Sequence, residues 1–178
     1  GGAAFFDSSH GRGRWTAVPS CDTVAAFMLD IHYSDTWADP QHQETPQAWR
    51  DLDVAALEQQ VEQYSKDLIT QLREAGAMPE MVQVGNEITG GMLWPLGYIK
   101  VPPSEVKLDA GEIRGPFPET YDEATQWANL TRFIKAGVRG VRAGAADQPV
   151  QIILHTDCGG DWPTTRWWFD HITAAEVD

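Results

Sequence analysis

MVQVGNEITGG, residues 81–91, runs four residues of strand-like alternation into a glycine, an amide and an acid, and then loses all regularity. A carboxylate at the end of an apolar strand is costly unless it is solvated, paired or used. The neighbouring segments show what kind of strand this is. Upstream, Leu57, Val61, Tyr64, Leu68 and Leu72 recur at intervals of three and four. That spacing predicts a helix starting near Asp51 or Asp53 and stopping at Gly76. Before the helix, VAAFMLDIHY (24–33) is a nearly continuous apolar run, the pattern of a strand buried on both faces.

Downstream, residues 88–119 form a long irregular segment rich in proline and glycine. Its length suits a wall of a substrate groove rather than an ordinary connection. Thr120 and Glu123 then read as a capping box, and Trp127, Leu130, Ile134, Val138 and Val141 continue a helical stripe. A third strand, PVQIILH, and a third helix from about Pro163 to Ala175 follow. Strand and helix alternate three times, which predicts an α/β fold of right-handed βαβ units on a parallel sheet.

The working end of such a sheet is the carboxyl end of its strands. His32-Tyr33-Ser34-Asp35, Asn86-Glu87 and His155-Thr156-Asp157 stand there, each followed by a loop with tryptophan. Three polar strand ends in succession point to a site. Trp37 and Trp94 lie in these loops and are read as flat stacking platforms. Asp35 and Asp39 either bind a ligand or cap the loop after the first strand. His32 either contacts a ligand, orients Glu87 or is satisfied within the rim, and His155 and Asp157 are contacts or scaffold. Trp127 and Trp168, in helical stretches, are read as core.

The bulk composition narrows the function classes. With 13 Lys+Arg against 26 Asp+Glu the net charge is −13, which argues against nucleic acid or an anionic membrane as partner. No run approaches the ~18 apolar residues of a membrane span. Residues 1–23, without period, are read as an irregular leader, in which no signal peptide is visible. Its GRGR is not a phosphate loop, because no strand precedes it. Cys21 and Cys158 fit neither a metal spacing nor a disulfide framework and are read as idle thiols. The five histidines show no metal-ligand spacing, so neither a metal nor another cofactor is expected.

LDIHYSDTWADPQHQETPQAW (29–49) and MVQVGNEITGGMLWPLG (81–97) closely resemble glycoside hydrolase family 53, the arabinogalactan endo-β-1,4-galactanases. LHTDCGGDWPTTRWWFDHIT (154–173) is similar to that family's fifth strand and helix, so the resemblance covers about residues 27–178. It implies strands 3–5 of a (β/α)8 TIM barrel over residues 24–178, and a secreted enzyme acting on β-1,4-galactan or arabinogalactan with retention. It also implies that Glu87 is the catalytic acid/base, with Asn86 beside it on the sugar 2-OH. His32, Asp35, Trp37, Asp39, Trp94, His155 and Asp157 are then the candidate substrate-binding residues.

The match is partial. A complete barrel takes about 250 residues. The family's nucleophilic glutamate belongs on strand 7, and no other glutamate here falls at a matching motif. The chain therefore resembles a fragment of a galactanase. A noncatalytic sugar-binding remnant is the alternative, distinguished by whether the reading frame continues into a seventh strand ending in glutamate.

Overall fold

The computed structural model describes residues 5–7, 14–16, 27–102 and 115–177. Its strands are β1 (Phe5–Asp7), β2 (Arg14–Thr16), β3 (Met28–Ile31), β4 (Met81–Val84) and β5 (Gln151–Ile153). Its α-helices are α1 (Val54–Glu74), α2 (Glu123–Ala145) and α3 (Trp162–Ala174). β3, β4 and β5 form one parallel sheet in that order, with Asp30 opposite Gln83 and Gln83 opposite Ile153. This is the parallel, adjacent arrangement that the βαβ order predicts. Within the stretch read as an irregular leader, β1 and β2 pair antiparallel, Phe6 opposite Trp15. Phe5, Phe6, Trp15 and Thr16 are β-forming residue types, a signal too short to show as a period. Cys21 and most of that leader lie outside the described residues, as do residues 103–114 of the long segment after β4.

The sheet has two unlike faces, which corrects the reading of the first strand as buried on both. Ile31, Tyr33, Val82 and Val84 are buried in the core. The alternate residues Asp30, His32, Gln83 and His155 form a polar face joined by hydrogen bonds. A strand with one apolar and one polar face needs something polar to do on the second, and that face leads to Glu87.

Helix α1 begins where its sequence signals put it. Asp53 is the N-cap, its Oδ1 accepting from the Ala56 N–H at 2.8 Å. The buried line is Leu57, Val61, Ser65, Ile69 and Leu72, so Tyr64 and Leu68 flank the stripe instead of forming its centre. Ser65 sits there because α2 comes too close for anything larger. A Cβ on Gly140 of α2 would stand 2.3 Å from the Glu62 carbonyl oxygen and 2.7 Å from Ser65 Cβ. The first contact is with backbone, which cannot swing away. Gly140→Ala gains about 1 kcal/mol of helix propensity and loses about 1–3 kcal/mol to overpacking. We expect a lower unfolding midpoint in urea; an unchanged or raised one would show that the helices part freely.

Helix α2 is capped by Asp122, whose Oδ1 accepts from the Thr125 N–H at 2.8 Å, and not by the Thr120 box. Asp122 wins because it stands directly before the first helical residue. The stripe read from Trp127 to Val141 is buried as expected. Trp168 of α3 is also fully buried, and Trp127 stacks on His171 with centroids 4.3 Å apart. Among the described residues no helix is long and apolar enough to cross a membrane.

Candidate active site

The chain leaves β4 through two residues with positive φ. Gly85 has φ +80°, and Glu87 has φ 51° and ψ 46°, a left-handed conformation costing of order 1–3 kcal/mol away from glycine. Neighbours on both sides hold this turn. The Gly85 N–H donates to the Ile31 carbonyl (3.1 Å), and the Ile88 N–H donates to the His155 carbonyl (2.9 Å). From the loop after β3, Gln43 Nε2 donates to the carbonyls of Asn86 (2.7 Å) and Glu87 (3.3 Å). Trp168 Nε1 donates to the Ile88 carbonyl (3.3 Å). Glu87 is thereby fixed in backbone while its carboxyl stays uncommitted.

No hydrogen bond among the described residues claims that carboxyl, and it is only half-buried. Burial pushes its pKa above the ordinary glutamate value. Asp157 and Asp39 raise it further, while His155 and His32 oppose the rise. An acid that keeps its proton to higher pH, and has no partner holding it, is fitted to donate that proton.

Asn86, by contrast, is almost fully engaged. Its Nδ2 donates to the Ala38 carbonyl (2.8 Å), and its Oδ1 accepts from Gln83 Nε2 (3.1 Å) and His155 Nδ1 (2.8 Å). One amide hydrogen remains for a ligand. Gln83 Nε2 gives its other hydrogen to Asp30 Oδ1 (2.6 Å), and His32 Nε2 bonds Asp30 Oδ2 (3.0 Å). His32 Nδ1 accepts from the Ala38 N–H (2.9 Å), which leaves Nε2 as the donor to Asp30. His32 is therefore satisfied within the rim, its edge hydrogen-bonding used by protein. Asp30 and Gln83 were missed by reading strand ends alone. Their signal was a polar residue in the middle of each of two apolar strands.

The two tryptophan expectations divide. Trp37 is 73% exposed, its ring 4.8 Å by centroid from His32 and free to meet a ligand. Trp94 is only 1% exposed, which corrects its reading as a platform. Its Nε1 donates to the Gly90 carbonyl (2.9 Å), and its ring packs on Tyr98 and Phe117. The Trp94 carbonyl accepts from Thr45 Oγ1 (2.9 Å), tying the loop after β4 to the loop after β3.

The loop aspartates act as caps. Asp35 Oδ2 accepts from the Gln47 N–H (2.7 Å), and Asp39 Oδ1 accepts from the Gln41 N–H (2.8 Å) while also bonding His42. Asp35 lines, with His42 and Arg50, a hollow of about 310 Å³. A larger groove of about 450 Å³ runs from Glu44 and Arg50 past Trp49 to Pro95; Glu87 lines neither. Asp157 does join Glu87, and its Oδ1 is buried without a hydrogen-bond partner among the described residues. Cys158, buried, lies 3.7 Å from Thr89 Oγ1. Among the described residues no group of three or more His, Cys, Asp or Glu is placed to hold a metal ion.

A half-buried strand-end glutamate after a buried asparagine, on a parallel sheet, calls for comparison with known families. The model of glycosyl hydrolase family 53 matches residues 24–178. The chain belongs to that family. A probable arabinogalactan endo-β-1,4-galactanase A of Aspergillus terreus is 35% identical over 150 residues, covering 84% of this chain and 36% of the relative. The arabinogalactan endo-β-1,4-galactanase of Thermothelomyces thermophilus is 32% identical over 144 residues, covering 81% and 36%. Among solved structures, a fungal β-1,4-galactanase superposes with TM-score 0.66 at 30% identity, over 84% of this chain and 37% of that one. The family 53 catalytic domain of Ignisphaera aggregans does so with TM-score 0.66 at 27% identity, covering 86% and 35%. The chain thus spans a little over a third of its family 53 relatives, and its three βα units are part of a (β/α)8 barrel.

Proposed function

We propose that this chain is the part of an endo-acting, retaining β-1,4-galactanase that carries the acid/base, Glu87. The observation behind this reading is the Glu87 carboxyl itself: uncommitted, half-buried and raised in pKa, in a chain of family 53. In a retaining mechanism such a group protonates the leaving oxygen and then takes a proton from the attacking water. A second carboxyl about 5–5.5 Å away attacks the sugar. We assign that nucleophile to the portion of the family barrel that this chain does not span. The free Asn86 hydrogen suits a sugar hydroxyl, the partnerless Asp157 Oδ1 suits a hydroxyl donor, and the exposed Trp37 ring suits a galactose face. His155 contributes at the same edge through Asn86 and Glu87.

The test is hydrolysis of β-1,4-galactan, with the configuration of the new reducing ends followed by proton NMR. In the context of a complete barrel we expect galactan to be cut internally and the β-anomer to appear first. The 178 residues alone should release reducing ends at no more than a trace rate, since one carboxyl cannot form the glycosyl intermediate. An α-anomer first would overturn retention, and faster cleavage of β-1,4-glucan would overturn the substrate. Binding without cleavage in the complete barrel would make the protein a noncatalytic sugar binder.

A further inference from the structure

The loops after β3 and β4 enclose two hollows that the acid/base reading does not use, and the two are neighbours. The larger, about 450 Å³, and the smaller, about 310 Å³, share Glu44, Thr45 and Arg50 in their linings. The larger adds an apolar wall of Trp49, Leu52, Pro95 and Leu96. The smaller adds Ser34, Asp35, Thr36 and His42, and Thr36 directly precedes the exposed Trp37. Side by side they make one trough, leading from beside Trp37 across Arg50 to Pro95. Its walls are tied in place. The Thr45 Oγ1 and N–H both donate to the Trp94 carbonyl (2.9 and 3.2 Å). The Trp49 N–H donates to the Pro46 carbonyl (2.8 Å), and the Trp49 ring meets Tyr64 edge-on at 5.5 Å between centroids. A trough of this size with fixed walls has the dimensions of a preformed ligand site.

Its polar groups are uncommitted. Arg50 forms no ion pair among the described residues, and its one hydrogen bond, from Nε to the Thr45 carbonyl, is stretched to 3.4 Å. The Glu44 carboxyl lines the same space and has no hydrogen-bond or ionic partner among the described residues. A guanidinium can only donate and a carboxylate can only accept. Two opposite charges that share a groove without pairing suit a ligand whose groups do both. A sugar is such a ligand, because each hydroxyl donates and accepts while its C–H face lies on an indole. An anion would meet the Glu44 and Asp35 carboxylates as well as Arg50, in a chain of net charge −13. A wholly apolar ligand would strip water from both charges and return nothing.

We propose that this trough is a second saccharide site, taking a neutral stretch of galactan away from the bond being cut, with Trp49 as the stacking surface and Arg50 and Glu44 as donor and acceptor to sugar hydroxyls. Naming galactan rests on the galactanase reading; the preference for a neutral saccharide comes from the trough itself. Glu87 lines neither hollow, so contacts here act on the hold on the polymer and leave the proton transfer alone.

The experiment titrates β-1,4-galactotetraose into the complete barrel carrying Glu87→Gln, so that the ligand survives. The ¹⁵N signals of the indole N–H groups are followed, and Trp49→Phe identifies that of Trp49. The Trp49 signal is expected to move saturably. Arg50→Ala should weaken that titration by about 3–10-fold, the span of one net hydrogen bond. Arg50 is exposed, so its urea midpoint should match the parent's. Glu44→Gln, which keeps the shape and removes the charge, should weaken the titration in the same direction. A Trp49 signal that stays still overturns the proposal, as does one that moves with inorganic phosphate and not with galactotetraose.

Kinetics with Glu87 intact give the second readout. Arg50→Ala should raise KM on polymeric galactan by a similar factor with kcat constant, and should leave kcat/KM on an aryl galactoside unchanged, since one sugar fills only the catalytic edge. Equal losses on both substrates would put Arg50 at the catalytic edge and overturn a separate site. The two readings fail separately. If the complete barrel does not cut galactan, the catalytic reading fails whatever Trp49 does; if it cuts galactan while Trp49 stays silent, only the trough inference fails.

Discussion

Glu87→Gln is expected to lower the rate on β-1,4-galactan by about 10²–10⁴-fold in the complete barrel, the span a positioned proton donor contributes. The loss should fall on kcat more than on KM, because glutamine occupies the same space and only the proton is gone. Aryl galactosides with very good leaving groups provide the internal control. Their departure needs no proton, so the first, glycosylating step should survive. The second step still lacks a base to activate water, and the covalent intermediate should build up. A small anion such as azide, which attacks without base assistance, should then restore turnover. The pH profile adds an independent arm. Burial, with Asp157 and Asp39, holds the Glu87 acid form to higher pH than an ordinary glutamate. The alkaline limb of the wild-type profile should lie above the ordinary glutamate range. Asp157→Asn, by removing a neighbouring negative charge, should draw it downward. Equal loss on polymer and activated substrate would remove Glu87 from the acid role.

The parts of this site that could be read directly are those with a local signature. Apolar periodicity marked α1 and α2, because burial of one helical face repeats along the chain whatever the partner is. The Asn86-Glu87 pair stood out because a strand end with no apolar use for its residues is itself a signal. Three features were hidden because they depend on distant residues. Asp30 and Gln83 look like interruptions of apolar strands until the β3–β4 register places them side by side. Ser65 looks like a gap in a helical stripe until Gly140 is seen against it. Trp94, in a proline-rich loop, carries the composition of a sugar platform. It is buried because the loop folds back on itself, the Ile99 N–H reaching the Gly90 carbonyl at 2.9 Å. Trp37 stands just before the point where its own loop closes, the Asp39 and His42 backbones exchanging hydrogen bonds at 3.1 and 3.0 Å, and stays exposed. Both tryptophans follow polar strand ends, and the path of the backbone is what separates them.

Trp168→Ala should produce the largest loss of stability of any single change considered. The side chain is fully buried, in edge contact with Trp127 and Phe169 at centroid distances of 6.5 and 5.1 Å. Truncating a buried tryptophan costs about 3–5 kcal/mol, through lost transfer energy and the cavity left behind. That is a large share of the ~5–15 kcal/mol by which domains are stable. The same residue reaches the site, since Trp168 Nε1 donates to the carbonyl of Ile88, directly after Glu87. Trp168→Phe separates the two roles. It keeps much of the apolar volume, so most of the stability should remain, but it removes the only N–H that α3 gives to the Ile88 carbonyl among the described bonds. The left-handed turn at Glu87 then loses one of its restraints while those from Gln43 and the His155 carbonyl persist. We expect kcat on galactan to fall several-fold with KM nearly constant, a loss of roughly 1 kcal/mol in transition-state stabilisation. Urea unfolding of both variants, paired with kcat for the phenylalanine variant, provides the measurement. Should Trp168→Phe be as unstable as Trp168→Ala, the N–H to Ile88 carries the energy; should it match wild type in kcat, α3 supports the barrel without steering Glu87.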